Sequence, residues 1–312
     1  MPIMNVNPKI SVVVCTRNRP DDVSQCLPTV LAALRGDWEV LLVDQSDGTE
    51  TQAVAARLAV TCPALRYLPT KTRGKSHALN LGIAETDGPL LAFTDDDCDA
   101  PPDWLEKIVA EFAAEPEIDV LFGPVLPSPV IPDLAGVCVP AWAFSDSRDL
   151  RPGEVCGMGA NMALRRTALS FLPCGLLFDP AMGPGGPFPA GEEGDFVYRL
   201  RRAGARAALR PALALCHRAW RTPDHWASVL HGYGVGEAAF FAKHARCGDA
   251  WAVWRLLATL LHLMARSGAK AALRRPNSDA ALLRGLCRGF AASLRMGVDP
   301  QTRLYRSAEA KR

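Results

Sequence analysis

Glycine-rich phosphate loops are missing from this 312-residue sequence. It contains neither GxxxxGK(S/T) nor an early GxGxxG, and the turn at residues 16–20, after the first predicted strand, has no glycine. Such loops hold phosphate in P-loop proteins and in dinucleotide-binding proteins. Their absence argues against both classes and leaves cationic side chains or a metal ion to bind any phosphate group.

Paired cysteines and long apolar runs are missing as well. None of the ten cysteines forms a CxxC pair, which argues against a zinc site or a disulfide framework and favours reduced thiols. No uncharged apolar run reaches 18 residues, so no membrane-spanning helix is expected. The first nine residues lack the apolar core of a signal peptide. These absences predict a cytoplasmic protein.

Charge is distributed unevenly along the chain, although the net charge is only +2. Residues 1–217 carry a net charge of −8, whereas residues 218–312 carry +10. A basic region predicts an anionic partner such as a membrane surface, a nucleic acid or an acidic protein. No nucleic-acid-binding motif accompanies the charge, so we do not expect a nucleic-acid partner.

Residues 90–99, LLAFTDDDCD, carry the strongest signal of a functional site. Four apolar residues and Thr94 predict a buried strand that ends in Asp95, Asp96 and Asp97. Three adjacent acids on a surface are usually a solvated loop or a helix cap. At the carboxyl end of a buried strand they favour a divalent cation, Mg²⁺ or Mn²⁺, because these ions prefer oxygen ligands.

The first 115 residues alternate between strand and helix, which predicts an α/β fold with a mainly parallel sheet flanked by helices. A proline- and glycine-rich loop at residues 180–189 is predicted to close over a ligand. Strands are predicted at residues 10–16, 38–43, 65–68, 90–93, 118–123, 155–164, 205–210 and 212–216, and helices at residues 50–58, 75–84, 196–203 and 250–265.

Polar side chains gather where the predicted parallel strands end. Thr16 and Arg19 follow the first strand, Asp44 follows the second, and the loop at residues 72–75 and the acids at residues 95–97 follow the next two. The carboxyl ends of parallel strands share one edge of the sheet, where open α/β sheets bind their ligands. Carboxylates, cations and small polar groups at this edge are the set that a nucleoside diphosphate needs.

Six segments in this order resemble the family 2 glycosyltransferases, which have the GT-A fold. They are SVVVCTRNRP, EVLLVDQSDG, TRGKSHALNLGI, LLAFTDDDCDAPPDWL, GANMALRR and GEEGDFVYRLRRAG, and together they cover about residues 9–218. The resemblance implies a GT-A domain at residues 1–220, followed by a basic, amphipathic helical region at residues 221–312.

The resemblance also implies a role for each matching residue. Glu193 stands where the family usually has an aspartate as catalytic base, and whether Glu192 or Glu193 reaches the acceptor stays open. The division of labour among Asp95, Asp96 and Asp97 stays open too. The implied donor-binding residues are Thr16, Arg19, Asp44, Arg73, Lys75, Asp95 and Asp96; those near the sugar or acceptor are Gly159, Ala160, Asn161, Glu192 and Asp195; and the metal ligands are Asp97 and Asp96. His217 is either a further metal ligand or a structural histidine at a strand end.

The implied reaction is an inverting transfer of a sugar from a nucleoside-diphosphate-sugar to an acceptor hydroxyl, in glycan or glycolipid biosynthesis. The enzyme would be metal-dependent and similar to hexosyltransferases. One alternative is a sugar-nucleotide pyrophosphorylase, although that enzyme would need a glycine-rich loop after the first strand. Another is a catalytically inactive, membrane-associated nucleotide-binding scaffold, against which the intact acids argue.

The predicted helix at residues 250–265 is apolar except for a narrow polar stripe, Arg255, Thr259, His262 and Arg266. It is either the buried helix of a bundle or a helix that lies in a membrane interface. The basic charge of this region favours an anionic membrane. The second interpretation predicts a peripheral protein on the inner face of the cell membrane, close to a lipid-linked acceptor.

Overall fold

The computed structural model describes residues 9–129, 137–151, 154, 157–173, 177–273 and 278–306. The strands are β1 (Ile10–Thr16), β2 (Glu39–Asp44), β3 (Leu65–Pro69), β4 (Leu90–Asp95), β5 (Cys98–Asp99), β6 (Val120–Phe122), β7 (Val125–Pro127), β8 (Arg148–Asp149), β9 (Met162–Arg165), β10 (Ala207–Leu209) and β11 (Leu215–His217). The helices are α1 (Pro20–Ala32), α2 (Glu50–Thr61), α3 (Lys75–Ala84), α4 (Trp104–Ala114), α5 (Glu192–Arg202), α6 (Pro223–Arg246), α7 (Ala250–Ala272) and α8 (Ser278–Leu294).

An eight-stranded sheet with the order β3-β2-β1-β4-β9-β6-β10-β8 forms the centre of the fold. Strands β1 to β4 are mutually parallel, β6 and β10 are parallel, and β9 runs antiparallel between β4 and β6. A small second sheet has the order β5-β11-β7. The prediction of an α/β fold with a mainly parallel sheet is confirmed.

Alternate residues of β1 enter two different cores, one on each face of the sheet, because successive side chains of a strand point in opposite directions. Val12 packs with α1 and α4 on one face. Val13 packs with α3 and α5 on the other. Since helices cover both faces, the middle residues of β1 and β2 are apolar, and the polar side chains of these strands lie at their ends.

Two segments differ locally from the sequence prediction. Residues 155 and 156 of the predicted strand at 155–164 lie outside the described residues, and Gly159–Asn161 forms a 3₁₀ helix before β9 begins. The predicted strand at 212–216 is shifted, because a 3₁₀ turn opens at Pro211 and β11 follows it. Both turns stand beside the carboxyl edge of the sheet.

The loop at residues 180–189 is packed against the protein along most of its length. Met182 and Phe188 are fully buried, and the backbone N–H of Lys75 donates to the carbonyl of Pro184 at 2.9 Å. Exposure is confined to residues 184–187 and Pro189. Closure of this loop over a ligand stays a prediction, and any such movement is restricted to its tip.

The C-terminal helices pack on the rest of the chain through a third core, which joins Met182 and Tyr198 to Phe240 of α6. Asp249 caps α7, because its side chain accepts from the N–H of Ala252. Among the described residues of α7, only Ala252 and Leu263 are buried. Helix α7 is therefore not buried on all sides. In the part of the chain that the structure describes, no helix is long and apolar enough to cross a membrane.

Candidate active site

The polar ends of β1 and β4 meet as the sequence predicts. These strands are parallel neighbours, with Cys15 opposite Asp95. The hydroxyl of Thr16 donates to Asp96 Oδ2 at 2.6 Å. The register of the two strands therefore fixes the positions of Thr16 and Asp96 relative to each other.

Arg19 joins two of the three consecutive carboxylates. Its Nη1 lies 2.5 Å from Asp96 Oδ1 and its Nη2 lies 2.7 Å from Asp97 Oδ2. Burial raises the pKa of Asp96 to about 7, against the charge of Arg19. Burial also opposes ionisation of Asp97, but the hydrogen bond with His217 and the charge of Arg19 hold its pKa well below the usual range. Asp97 is therefore the more strongly ionised of the two.

His217 faces Asp97 because β11 pairs with β5 and places His217 opposite Cys98. Its Nε2 lies 2.9 Å from Asp97 Oδ1, and its Nδ1 lies 2.6 Å from the carbonyl oxygen of Pro140. A carbonyl oxygen accepts only, so Nδ1 carries a proton. Nε2 donates to the ionised carboxylate of Asp97; burial opposes the charged form of His217, but this hydrogen bond outweighs it and raises the pKa of His217. A cation bound here would replace the proton on Nε2, while Nδ1–H would still orient the ring, as in a metal-binding histidine.

The donor set beside His217 fits Mg²⁺ or Mn²⁺. Asp97, Cys98 and His217 offer ligand atoms that all lie within 4.8 Å of one another. Burial raises the pKa of the Cys98 thiol well above its ordinary value, so the sulfur keeps its proton and is a poor ligand. The carboxylate of Asp97 and the imidazole of His217 remain, and both suit Mn²⁺, whereas Mg²⁺ prefers the carboxylate.

Lys75 places a positive charge at the other end of the carboxylate row. Its Nζ lies 2.5 Å from Asp95 Oδ1 and 3.6 Å from Glu192 Oε1. The position is fixed because Lys75 begins α3 and its backbone is bound by the loop at residues 180–189. Lys75 thus connects the end of β4 to the start of α5.

Three acids stand in the first turn of α5, and only one is partly exposed. Glu192 is 5% exposed and pairs with Lys75, and Asp195 is 0% exposed. Glu193 is half-buried and faces a cleft. Burial and the charge of Glu192 raise the pKa of Glu193 to about 8. A carboxylate with a pKa near neutral pH is suited to general-base catalysis.

This cleft has a volume of about 1020 Å³. One end is lined by residues that the sequence predicts at the site: Lys75, Asp95, Gly159, Ala160, Glu192 and Glu193. The remaining predicted donor-binding residues lie along the sheet edge outside its lining. There Asp44 accepts from the hydroxyl of Tyr67 at 2.8 Å, and Arg73 pairs with Asp47.

Two residues predicted near the sugar or acceptor are held elsewhere. The amide of Asn161 donates to the carbonyls of Pro124 and Leu213, and its oxygen accepts from the indole of Trp104. Its amide nitrogen and its oxygen all have protein partners, so Asn161 connects α4 to the segments around Pro124 and Leu213. Asp195 has no exposed surface and is held by two cationic side chains and a histidine, which makes it a positioning residue: Arg199, Lys243 and His244.

The sequence interpretation missed the opposite wall of the cleft, which α6 and α7 supply. Trp226, Tyr233, Trp251 and Trp254 line this wall. A signal was present, since four of the seven tryptophans lie between residues 220 and 254. Their joint position depends on how the helices pack, and the spacing of the residues does not show it.

Comparisons with known proteins identify the family of the chain. The sequence model of glycosyl transferase family 2 matches residues 11–171. Glycosyltransferase AglE of Haloferax volcanii is 30% identical over 106 residues, which is 33% of this chain and 35% of that protein. The chain thus spans about a third of the length of this relative, and 39% of a glucosyl-dolichyl phosphate glucuronosyltransferase from the same organism.

Solved structures show the same fold at low sequence identity. The mannosyltransferase PcManGT from Pyrobaculum calidifontis, in complex with GDP-Man and Mn²⁺, superposes with a TM-score of 0.63 at 18% identity, covering 93% of this chain and 88% of that one. S. aureus TarS 1–349 in complex with UDP-GlcNAc gives a TM-score of 0.52 at 16% identity, covering 73% and 66%. The predicted GT-A fold is confirmed. Because the family match spans just over half of the sequence, the chain belongs to glycosyl transferase family 2.

Proposed function

We propose that the protein is a metal-dependent, inverting glycosyltransferase that moves a sugar from a nucleoside-diphosphate-sugar to an acceptor hydroxyl. The observation that carries this proposal is the presence of Glu193 and the Lys75–Asp95 pair in one cleft. A base and a phosphate-binding cation then flank the space where the anomeric carbon would lie. Structural neighbours that hold GDP-Man with Mn²⁺, or UDP-GlcNAc, support a donor of this class.

The nucleoside would lie along the carboxyl edge of the sheet. Thr16, Asp44 and Arg73 stand there, and each is held by a hydrogen bond or an ion pair. Arg19 and Asp96 continue the row towards the cleft. The donor would therefore run from this edge to Lys75, with its sugar beside Gly159 and Ala160 in the cleft.

Asp97 and His217 would hold the divalent cation, and Asp96 is the next carboxylate in reach. When bound, Mg²⁺ or Mn²⁺ supplies Lewis-acid neutralisation of the charge on the diphosphate. Lys75 provides a fixed positive charge in the same place. Since its ammonium is already held by Asp95 and Glu192, it needs no reorientation as the leaving group departs.

Glu193 would take the proton from the acceptor hydroxyl while that oxygen attacks the anomeric carbon. The nucleoside diphosphate leaves from the opposite face, so the configuration of the sugar inverts. One base is sufficient and no covalent bond to the enzyme forms, unlike the reaction of retaining glycosidases, which use two carboxylates. Glu192 is assigned to Lys75, because that ion pair occupies its carboxylate.

The donor assignment predicts that a nucleotide-sugar raises the melting temperature and that Mn²⁺ increases the effect, since ligands that bind only the native state stabilise it. Melting curves with UDP-, GDP- and dTDP-sugars, each with and without Mn²⁺, measure both effects and identify the nucleobase of the donor. Asp97→Ala should keep a cooperative transition but lose the increase that Mn²⁺ produces.

Asp103→Ala is the matched control, because Asp103 is exposed and pairs with Lys107 in an i,i+4 bridge. It should respond to Mn²⁺ as the unchanged protein does. An equal increase in Asp97→Ala would remove Asp97 from the metal site. If no nucleotide-sugar shifted the melting temperature of the unchanged protein, the proposed donor class would be wrong.

The C-terminal region would contact an anionic membrane surface, with residues 1–220 as the catalytic domain and residues 221–312 as the basic helical region. Leu257, Leu261 and Met264 form one face of α7 and are 53% to 66% exposed. Their spacing of four and three residues makes a continuous stripe. The net charge of +10 over residues 218–312 complements anionic lipid headgroups.

This contact predicts that the protein sediments with vesicles that contain phosphatidylserine, and less with neutral vesicles or at high salt. Leu261→Glu should weaken sedimentation, because it places a charge in the apolar stripe. Val60→Glu is the control, since Val60 is 83% exposed and lies on α2. Equal sedimentation of both variants would exclude the α7 face as the contact.

A further inference from the structure

The cleft that contains Lys75 and Glu193 also has a set of aromatic rings in its lining. We call Trp226, Tyr233, Phe240, Trp251 and Trp254 the aromatic arm; all five line the cleft, and all come from α6 or α7. Lys75 and Asp95, which are proposed above to bind the donor, line the same cleft. A cleft of about 1020 Å³ therefore has room for a second ligand beside the donor.

The floor of the aromatic arm is rigid. Trp251 stacks on Tyr198 with ring centroids 5.2 Å apart, and the hydroxyl of Tyr198 donates to Asp249 at the cap of α7. Trp226 and Tyr233 meet edge to face at 6.3 Å. Trp254 and Tyr233 remain 60% and 40% exposed. Fixed rings that keep their faces open are suited to receive a flat apolar surface from a ligand.

Polar groups stand among these rings. Glu237 and Arg255 both line the cleft, and Arg255 lies over the Trp254 ring at 5.7 Å. Burial raises the pKa of Glu237, while the charge of Arg255 opposes that change. A carboxylate accepts hydrogen bonds from hydroxyl groups, and a guanidinium donates to them. Their presence would penalise an aliphatic chain, because its binding would bury these groups without partners.

The described lining also lacks the side chains that an alkyl chain would favour. It contains no leucine or isoleucine, and Val139 is its one branched aliphatic residue. A pyranose ring differs from an alkyl chain in having a C–H face that packs on an aromatic ring and a rim of hydroxyls that need polar partners. The aromatic arm offers both kinds of contact at once.

We propose that the aromatic arm binds the acceptor, and that the part of the acceptor which enters the cleft is a pyranose ring. This inference rests on the proposed function, because it takes Glu193 as the base that receives the acceptor's proton. Glu193 and the arm line the same cleft. A ring held against Tyr233 and Trp254 therefore presents its hydroxyls towards the carboxylate, and the acceptor is a carbohydrate.

Saturation-transfer NMR on the full chain tests this inference. The probes are methyl pyranosides of glucose, galactose, mannose and N-acetylglucosamine, with octyl phosphate as the alkyl-chain probe. UDP or GDP and Mg²⁺ are present, because Mn²⁺ is paramagnetic. At least one pyranoside should receive saturation at its ring protons. In Trp254→Ala and in Tyr233→Ala its affinity should fall about tenfold, as for the loss of an aromatic anchor.

Trp220→Ala is the matched control, since Trp220 is 38% exposed but does not line the cleft, and it should bind as the unchanged protein does. The inference is overturned if no pyranoside binds, if only octyl phosphate does, or if Trp254→Ala and Tyr233→Ala both bind as tightly as Trp220→Ala. Nucleotide signals in the same samples separate the two claims. If the nucleotide binds but no pyranoside does, this inference alone is wrong. If no nucleotide binds, the proposed function is wrong.

Discussion

Replacing Lys243 by methionine is expected to lower the free energy of unfolding by about 3–5 kcal/mol, the usual cost of removing one partner from a buried ion pair. Lys243 has no exposed surface. Its Nζ lies 2.7 Å from Asp179 Oδ2 and 2.7 Å from Asp195 Oδ1. Methionine keeps the length of the side chain but leaves two buried carboxylates without that cation. Urea unfolding followed by circular dichroism measures the loss.

Lys107→Met provides the comparison for this experiment. Lys107 is exposed and pairs with Asp103 one helical turn away, an arrangement that contributes about 0.3–0.5 kcal/mol. The two substitutions are chemically identical and differ only in burial. Equal losses of stability in the two variants would contradict the assignment of Lys243 to a buried ionic network.

This network connects the C-terminal region to the start of α5. Asp195 lies two residues after Glu193 and also binds Arg199 and His244, and Asp179 accepts from the backbone N–H of Tyr305. Residues beyond 220 thus hold the helix that carries the proposed base. The division of the chain at residue 220 stays a prediction, but the two parts share this network.

The donor side of the site could be predicted from the sequence because of how parallel sheets are built. Apolar runs mark the buried strands, and the residues that follow each run must meet at one edge. Thr16 and Asp96 therefore come together although 80 residues separate them. The resemblance to glycosyltransferase motifs added a catalytic base to these donor-binding residues. The structure of α5 favours Glu193 over Glu192 for that role, because Glu193 is half-buried whereas Glu192 is buried.

The remaining parts depend on contacts that no local pattern records. Asn161 stands in a recognisable motif, yet carbonyls 37 and 52 residues away occupy its amide. Asp195 is withdrawn from the cleft by Lys243, a lysine inside an otherwise apolar stretch of α6. The aromatic arm forms only when α6 and α7 pack against α5. The spacing of residues along the sequence does not reveal long-range packing of this kind.

Replacing Glu193 by glutamine is expected to slow sugar transfer by about 10²–10⁴-fold, which is the usual contribution of a general base. Glutamine keeps the size of the side chain but cannot take a proton. Affinity for the nucleotide-sugar should stay unchanged, because Lys75, Asp95 and Asp97 are untouched. The comparison of initial rates with donor affinities therefore separates loss of chemistry from loss of binding.

The pH dependence of the rate gives a second signature of the same group. The pKa of Glu193 is raised to about 8, with burial as the main cause, Glu192 and Asp95 adding to it and Lys75 opposing it. A general base works when deprotonated, so the rate should rise as the pH passes through about 8 and then level off. This rise should disappear in Glu193→Gln. If the rise with pH persisted in Glu193→Gln, the titration of another group would control the rate.

Release of nucleoside diphosphate from the nucleotide-sugar that binds most tightly is the most direct test of the account. It is measured with Mn²⁺ and the methyl pyranosides, for the unchanged protein and for Glu193→Gln. The account predicts release by the unchanged protein and about 10²–10⁴-fold slower release by the variant, at equal donor affinity. Donor binding without any release by the unchanged protein would indicate an inactive scaffold, and equally fast release by both proteins would exclude Glu193 as the base.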